Sequence, residues 1–180
     1  ARLQKQREEG KLQKKYLALA EGDLSEANDS VFWKEIAIPL APDPENPMKM
    51  TISPDGLLPG SRNAVTYYKN IKSFGNVTLV ELQLETGRTH QIRVHMSGIG
   101  HPLLGDTMYN PRVCLKMSNS KEKKNTEGRI NNRNDCFKRA ALHAWKLTFC
   151  HPFTDEIITL EAPLPDDFCR FLNANEEEKT

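Results

Sequence analysis

Residues 39–63 contain six prolines, Pro39, Pro42, Pro44, Pro47, Pro54 and Pro59, together with Gly56 and Gly60. Proline lacks a backbone donor and its ring blocks the preceding helical turn, so no helix can run through this stretch. It is expected to be a long surface connection. Parallel strands need crossover helices, and a Pro-rich connection supplies none, which leaves antiparallel pairing through loops. The flanking runs are rich in strand-forming residues. Tyr16–Ala20 and Val31–Ile38 precede the prolines; Ala64–Lys69 and Asn76–Glu85 follow them around Phe74-Gly75. Arg139–Phe149 and Glu156–Glu161, joined by a turn from His151 to Asp155, form a further hairpin. The expected fold is α+β: a largely antiparallel mixed sheet with a few flanking helices.

Three helices are expected. Residues 1–15 carry sparse Leu3 and Leu12 among Gln, Lys, Arg and Glu. Ile92, Met96 and Ile99 form an apolar stripe at helical spacing, with His90, Arg93 and Ser97 on the adjoining face. A short helix and an acidic tail close the chain, the tail taken as 169–180. Residues 111–138 read as a basic, mobile insertion: between Arg112 and Arg139 nine basic residues face three acidic ones.

Composition narrows the classes of function. In 180 residues, 25 Lys and Arg against 24 Asp and Glu leave a net charge of +1, which excludes a uniformly basic nucleic-acid coat. No run approaches the ~18 apolar residues of a membrane helix, and the charged start lacks a secretory core, so a soluble cytoplasmic protein is expected. The four cysteines stand 22, 14 and 19 residues apart without a CxxC pair, favouring reduced thiols. His90 and His95 would diverge by about 140° on a helix, and no metal is expected.

Chemistry concentrates between Leu84 and Tyr109. A strand runs into Thr86-Gly87 and then into a helix with two arginines, so cations stand near a helix start, a setting that suits phosphate or carboxylate. Arg88 and Arg93 could equally be surface solvation. Arg93, however, lies between Ile92 and Val94, and a half-buried guanidinium needs a carboxylate partner. A phosphate-ester hydrolase would need an acidic cluster for metal ions and a nucleophile with its base, and the sequence shows neither.

The run Leu84-Glu-Thr-Gly-Arg-Thr-His-Gln-Ile-Arg-Val-His95, followed by Gly100-His-Pro-Leu-Leu-Gly-Asp106 and Tyr109, resembles the late catalytic motif of RluA-type RNA pseudouridine synthases. Lys14-Lys-Tyr-Leu-Ala-Leu19 with Gly22 resembles the tyrosine motif of that family; Gly60 to Thr66 and the segments around Arg139–Ala144, Phe149–Pro152 and Ala162–Pro165 also agree in order. Together they cover about residues 12 to 168, expected as one partial catalytic domain over 1–168. The family's His-Arg-Leu-Asp motif has no counterpart, because the first Asp is Asp23. The resemblance therefore implies a chain lacking the opening strands and the nucleophilic Asp, inactive alone.

The resemblance implies conversion of uridine to pseudouridine in rRNA or tRNA, with no cofactor and no metal. The target nucleotide is flipped out of its stack into a pocket. Arg93 would keep the reacting carboxylate ionised and oriented. Tyr16 would stack on the uracil and assist proton removal from C5. Arg88 and His90 are candidate RNA contacts or helix-start supports. Lys14 and Lys15, within a basic start that includes Arg2, Lys5, Arg7 and Lys11, are candidate phosphate contacts. Leu142 is expected near the base pocket or in the core, Asp106 in a turn, and His101 and His143 in structural roles. A catalytically silent RNA- or partner-binding module is the alternative. No membrane partner is expected, and a truncated sheet would expose an edge that invites self-association.

Overall fold

The computed structural model describes residues 2–24, 32–112 and 137–176, so the expected basic insertion lies outside the described residues except at its ends. Strand β1 (Gln13–Glu21) lies inside a six-stranded sheet. Leu17 and Leu19 point to one face and Ala18 and Ala20 to the other, and all four are buried. A strand apolar on both sides loses least by taking an interior place.

Of the remaining strands, β2 (Lys34–Ala37) is an edge strand of this sheet, and β3 (Leu40–Pro42) and β4 (Met50–Ile52) pair separately. Strands β5 (Val65–Ser73) and β6 (Val77–Leu84) form a hairpin; β7 (Leu142–Cys150) and β8 (Ile157–Glu161) form another. The order is β2-β5-β6-β1-β7-β8, and among the described residues every pairing is antiparallel, in keeping with the largely antiparallel sheet expected.

Helix α1 (Arg2–Glu8) is shorter than the expected 1–15, because the chain turns at Gly10 (φ 69°) and is already extended at Gln13. Helix α2 (Gln91–Gly98) covers one face of the sheet. Its Ile92 and Met96 pack with Ala18, Ala20, Val80 and Leu82. On the other face Leu17, Leu19, Val77 and Leu79 meet Phe168 and Phe171 of helix α3 (Asp166–Glu176).

Two expectations are corrected here. The boundary at 168/169 falls inside α3, which runs to Glu176 and buries Phe171, so the acidic tail does not begin at 169. Asp166 and Asp167 occupy its first turn, where carboxylates suit the helix dipole. The Pro-rich stretch is not merely surface connection. Its prolines fall at strand ends and turns, which leaves room for the β3–β4 hairpin, with Leu40 and Ala41 buried and β4 against α2.

Gly105 makes one approach possible. It has φ 66°, and a Cβ there would collide with the carbonyl oxygen of Arg139. The turn that carries Asp106 can therefore press against the chain leading into β7. Cys150 and Cys169 are free thiols; Cys114 and Cys136 lie outside the described residues. Among the described residues no helix is long and apolar enough to cross a membrane.

Candidate active site

The segment from Thr86 to His95 divides its polar residues between inside and outside. Gln91 is buried: its Oε1 accepts from Thr86 Oγ1 (2.8 Å) and from the Arg88 amide (2.9 Å), and its Nε2 donates to Val65 O (2.9 Å) and Thr66 Oγ1 (3.0 Å). His95, with no exposed surface, donates from Nε2 to Ile38 O and accepts at Nδ1 from Thr66 Oγ1, both at 2.8 Å. Donation to a carbonyl fixes the neutral tautomer, and burial pushes its pKa down. These side chains lock the loop before α2 onto β5. Among the described residues no three His, Cys, Asp or Glu side chains group as metal ligands.

Arg93 points the other way, toward Asp106. Its Nε donates to Asp106 Oδ2 at 2.8 Å and its Nη2 to Oδ1 at 2.7 Å, a two-pronged ion pair. Asp106 is fully buried, and its Oδ1 also accepts the Met108 and Tyr109 amides, each at 3.0 Å. Burial pushes the Asp106 pKa up, but the guanidinium and the two amides outweigh it and leave the carboxyl below its ordinary value. The expected turn role of Asp106 is observed, and the pairing with Arg93 is an addition. The resemblance points to a carboxylate outside the chain, whereas the structure supplies a partner from the Gly-Asp turn thirteen residues on.

Tyr109 completes this cluster. The Arg93 guanidinium carbon lies 4.8 Å from its ring centroid, within cation–π range. Its hydroxyl oxygen accepts the Met50 amide at 3.0 Å, and its proton is donated to Nδ1 of His90 at 2.8 Å. His90 adopts a left-handed backbone (φ 56°, ψ 15°) as the N-cap of α2 and gives no side-chain cap. Burial and the neighbouring Arg93 charge lower its pKa, in keeping with a neutral acceptor. Ser97 donates to Tyr109 O at 2.7 Å. The whole His90–Arg93–Ser97 face thus meets residues 106–109. In the sequence Tyr109 stands only as part of a motif, and nothing in its spacing signals this position.

Tyr16 and Leu142 border the apolar cluster that includes Ile92 and Met96, on the side of the sheet covered by the helix carrying Arg93. Tyr16 pairs with Leu82 and Ala144, and a bulge opposite Lys15 and Tyr16 leaves Trp145 as the extra residue of β7. Tyr16 is half-buried, which raises its pKa. It lines two clefts. One, of about 490 Å³, also includes Lys14, Tyr67, Gln83 and Arg88; the other, of about 320 Å³, includes Lys14, Lys15 and Trp145. Arg93 is not in the walls of either. Arg88 donates from Nε to Asn63 O at 3.1 Å. Lys15 is engaged with Glu81 at 2.8 Å, sharing that carboxylate with Lys69 at 2.9 Å. His101 and His143 bond the carbonyls of Glu21 (2.9 Å) and Ala162 (3.3 Å).

A family model described as RNA pseudouridylate synthase matches residues 1–98, more than half of the chain, and takes in both Tyr16 and Arg93. The chain belongs to the RNA pseudouridylate synthase family. It is 38% identical over 159 residues to the uncharacterized RNA pseudouridine synthase YlyB of Bacillus subtilis (strain 168), covering 88% of this chain and 43% of that protein. It is 47% identical over 116 residues to ribosomal large subunit pseudouridine synthase D of Haemophilus influenzae, covering 64% and 34%. Among solved structures, Human RNA Pseudouridylate Synthase Domain Containing 4 superposes with a TM-score of 0.70 at 26% identity, over 97% of this chain and 66% of that one. The chain thus spans less than half the length of these two curated members of the family.

Proposed function

We propose that the protein is an RNA pseudouridine synthase, isomerising uridine in ribosomal or transfer RNA, with Tyr16 and Arg93 in its active site. The observation that carries this reading is the half-buried Arg93 guanidinium, held along its Nε–Nη2 edge by Asp106 and over the Tyr109 ring. Such a cation is preset to orient a second carboxylate through its remaining N–H groups. Asp106 is not that second group, since both its oxygens already accept hydrogen bonds and it has no exposed surface. The reacting acid is therefore assigned to a segment outside the described residues.

In the proposed reaction the N1–C1′ bond of a flipped uridine breaks, the base turns, and a C5–C1′ bond forms. The C5 proton is lost and N1 gains one, so neither oxidant nor cofactor is required. Tyr16 stacks on the base with Leu142 beside it. Lys14, Lys15, Arg88 and His90 are the proposed RNA-contacting positions; of these, Lys14 and Arg88 border the larger Tyr16 cleft, while His90 acts through Tyr109. The test is incubation of uridine-containing RNA with the protein together with the segment that supplies the reacting acid, followed by chromatographic separation of nucleosides. Pseudouridine formed in the presence of a metal chelator supports the reading, and its absence with every RNA tried opposes it.

The saturated state of Asp106 also favours a second reading, a catalytically silent RNA-binding module. Tight RNA binding without any conversion is its signature. Either form is proposed to self-associate along β8, an edge strand with Ile157 80% and Leu160 54% exposed. A monomer at all concentrations in sedimentation equilibrium would refute that.

A further inference from the structure

The larger Tyr16 cleft shares Gly87 and Arg88 with a neighbouring cleft of about 330 Å³. Leu40, Pro42 and Met50 contribute apolar walls to this second cleft, and among the described residues its only charged lining residues are Arg62 and Arg88. Arg62 is fixed through its backbone, which exchanges hydrogen bonds with Leu40 at 2.8 and 2.9 Å. Its exposed guanidinium makes no ion pair among the described residues. Among the described residues Arg88 uses only its Nε, on Asn63 O, and its terminal nitrogens meet no carboxylate. Thr89, in the same wall, leads into α2, whose N-cap supplies no side-chain acceptor. Two guanidiniums without a carboxylate, beside an uncapped helix start, favour a phosphate group. The apolar walls suit the ribose or base attached to it.

We propose that the Arg62–Arg88 cleft is a phosphodiester subsite for the RNA strand, adjoining the nucleotide held at Tyr16. The proposal rests on the RNA reading above. Arg88, common to both clefts, is the continuity that favours a strand over an isolated anion.

The test measures the affinity of a short uridine-containing single-stranded RNA by fluorescence anisotropy, from about 50 to 200 mM salt. Wild type, Arg62→Gln and Arg170→Gln are compared, the last removing the same charge from α3, which covers the opposite face of the sheet. A lost phosphate contact on a single strand makes the log–log salt slope shallower by about 0.7. Arg62→Gln is expected to show that change with several-fold weaker binding at about 100 mM salt, and Arg170→Gln neither. An unchanged slope in Arg62→Gln, or an equal change in Arg170→Gln, overturns the subsite. Calorimetric titration with inorganic phosphate separates the other source: submillimolar binding abolished by Arg62→Gln would mean a free-anion site and overturn the strand assignment. Pseudouridine formation is assayed on the same proteins, each together with the segment that supplies the reacting acid. Conversion by wild type with no slope change in Arg62→Gln removes the subsite alone; a shallower slope without conversion removes the enzyme reading alone.

Discussion

Asp106 and Glu81 are both nearly inaccessible carboxylates covered by cations, at 0% and 5% exposure. Asp106 faces one planar guanidinium that it grips at two nitrogens, and two backbone amides fix it from its own turn. Glu81 sits mid-strand between two separate ammonium groups, from Lys15 and Lys69, each also within cation–π range of Trp33 at 5.6 and 5.1 Å. The same attraction yields a cation of fixed orientation in one case and a neutralised surface in the other. Guanidinium geometry makes the difference: a planar fork transmits direction, whereas a compact ammonium on a flexible stem transmits only charge.

The comparison breaks most visibly on removal of the acid. Asp106→Ala leaves Arg93 and two amides without their partner, and is expected to cost about 3–5 kcal/mol in urea unfolding. Glu81→Gln, with partly exposed lysines that can turn to water, is expected to cost about 1 kcal/mol. Equal losses at the two sites would contradict the distinction. Tyr109→Phe removes the hydroxyl that links Met50 to His90, and should cost about 1 kcal/mol. It should also raise the His90 pKa, read by NMR titration, because a donor favouring the neutral ring is gone.

Acid titration is the gentlest probe. Burial depresses the His95 pKa, so its unfolded form binds protons first, and stability begins to fall below about pH 6.5. Asp106 and Glu81 are held below their ordinary values in the fold, so their contribution is present above about pH 4–5 and lost as pH falls further. Denaturant melts at successive pH values should show both steps, and Asp106→Asn should flatten only the more acidic one.

Much of this arrangement was legible in the residues. The apolar stripe of Ile92 and Met96 placed α2, and the prolines excluded a helix over 39–63. The hairpin β3–β4 was hidden because its strands are three residues each, too short for any periodicity, and are set by contacts with α2. Arg93 was legible as a guanidinium in need of an acid. Its partnership with Asp106 was not, because that depends on a turn whose approach Gly105 permits. Lys15 reads as a free phosphate contact in sequence, and only the register opposite Gln83 and beside Glu81 ties it down.

The most direct trial of the account keeps the charge at position 93 and removes the fork. With Arg93→Lys, single-turnover conversion of uridine is expected to fall by at least about 100-fold, the scale of losing one preset electrostatic contact, while RNA affinity stays within a few-fold. An Arg93→Lys protein that converts uridine at the wild-type rate would contradict it.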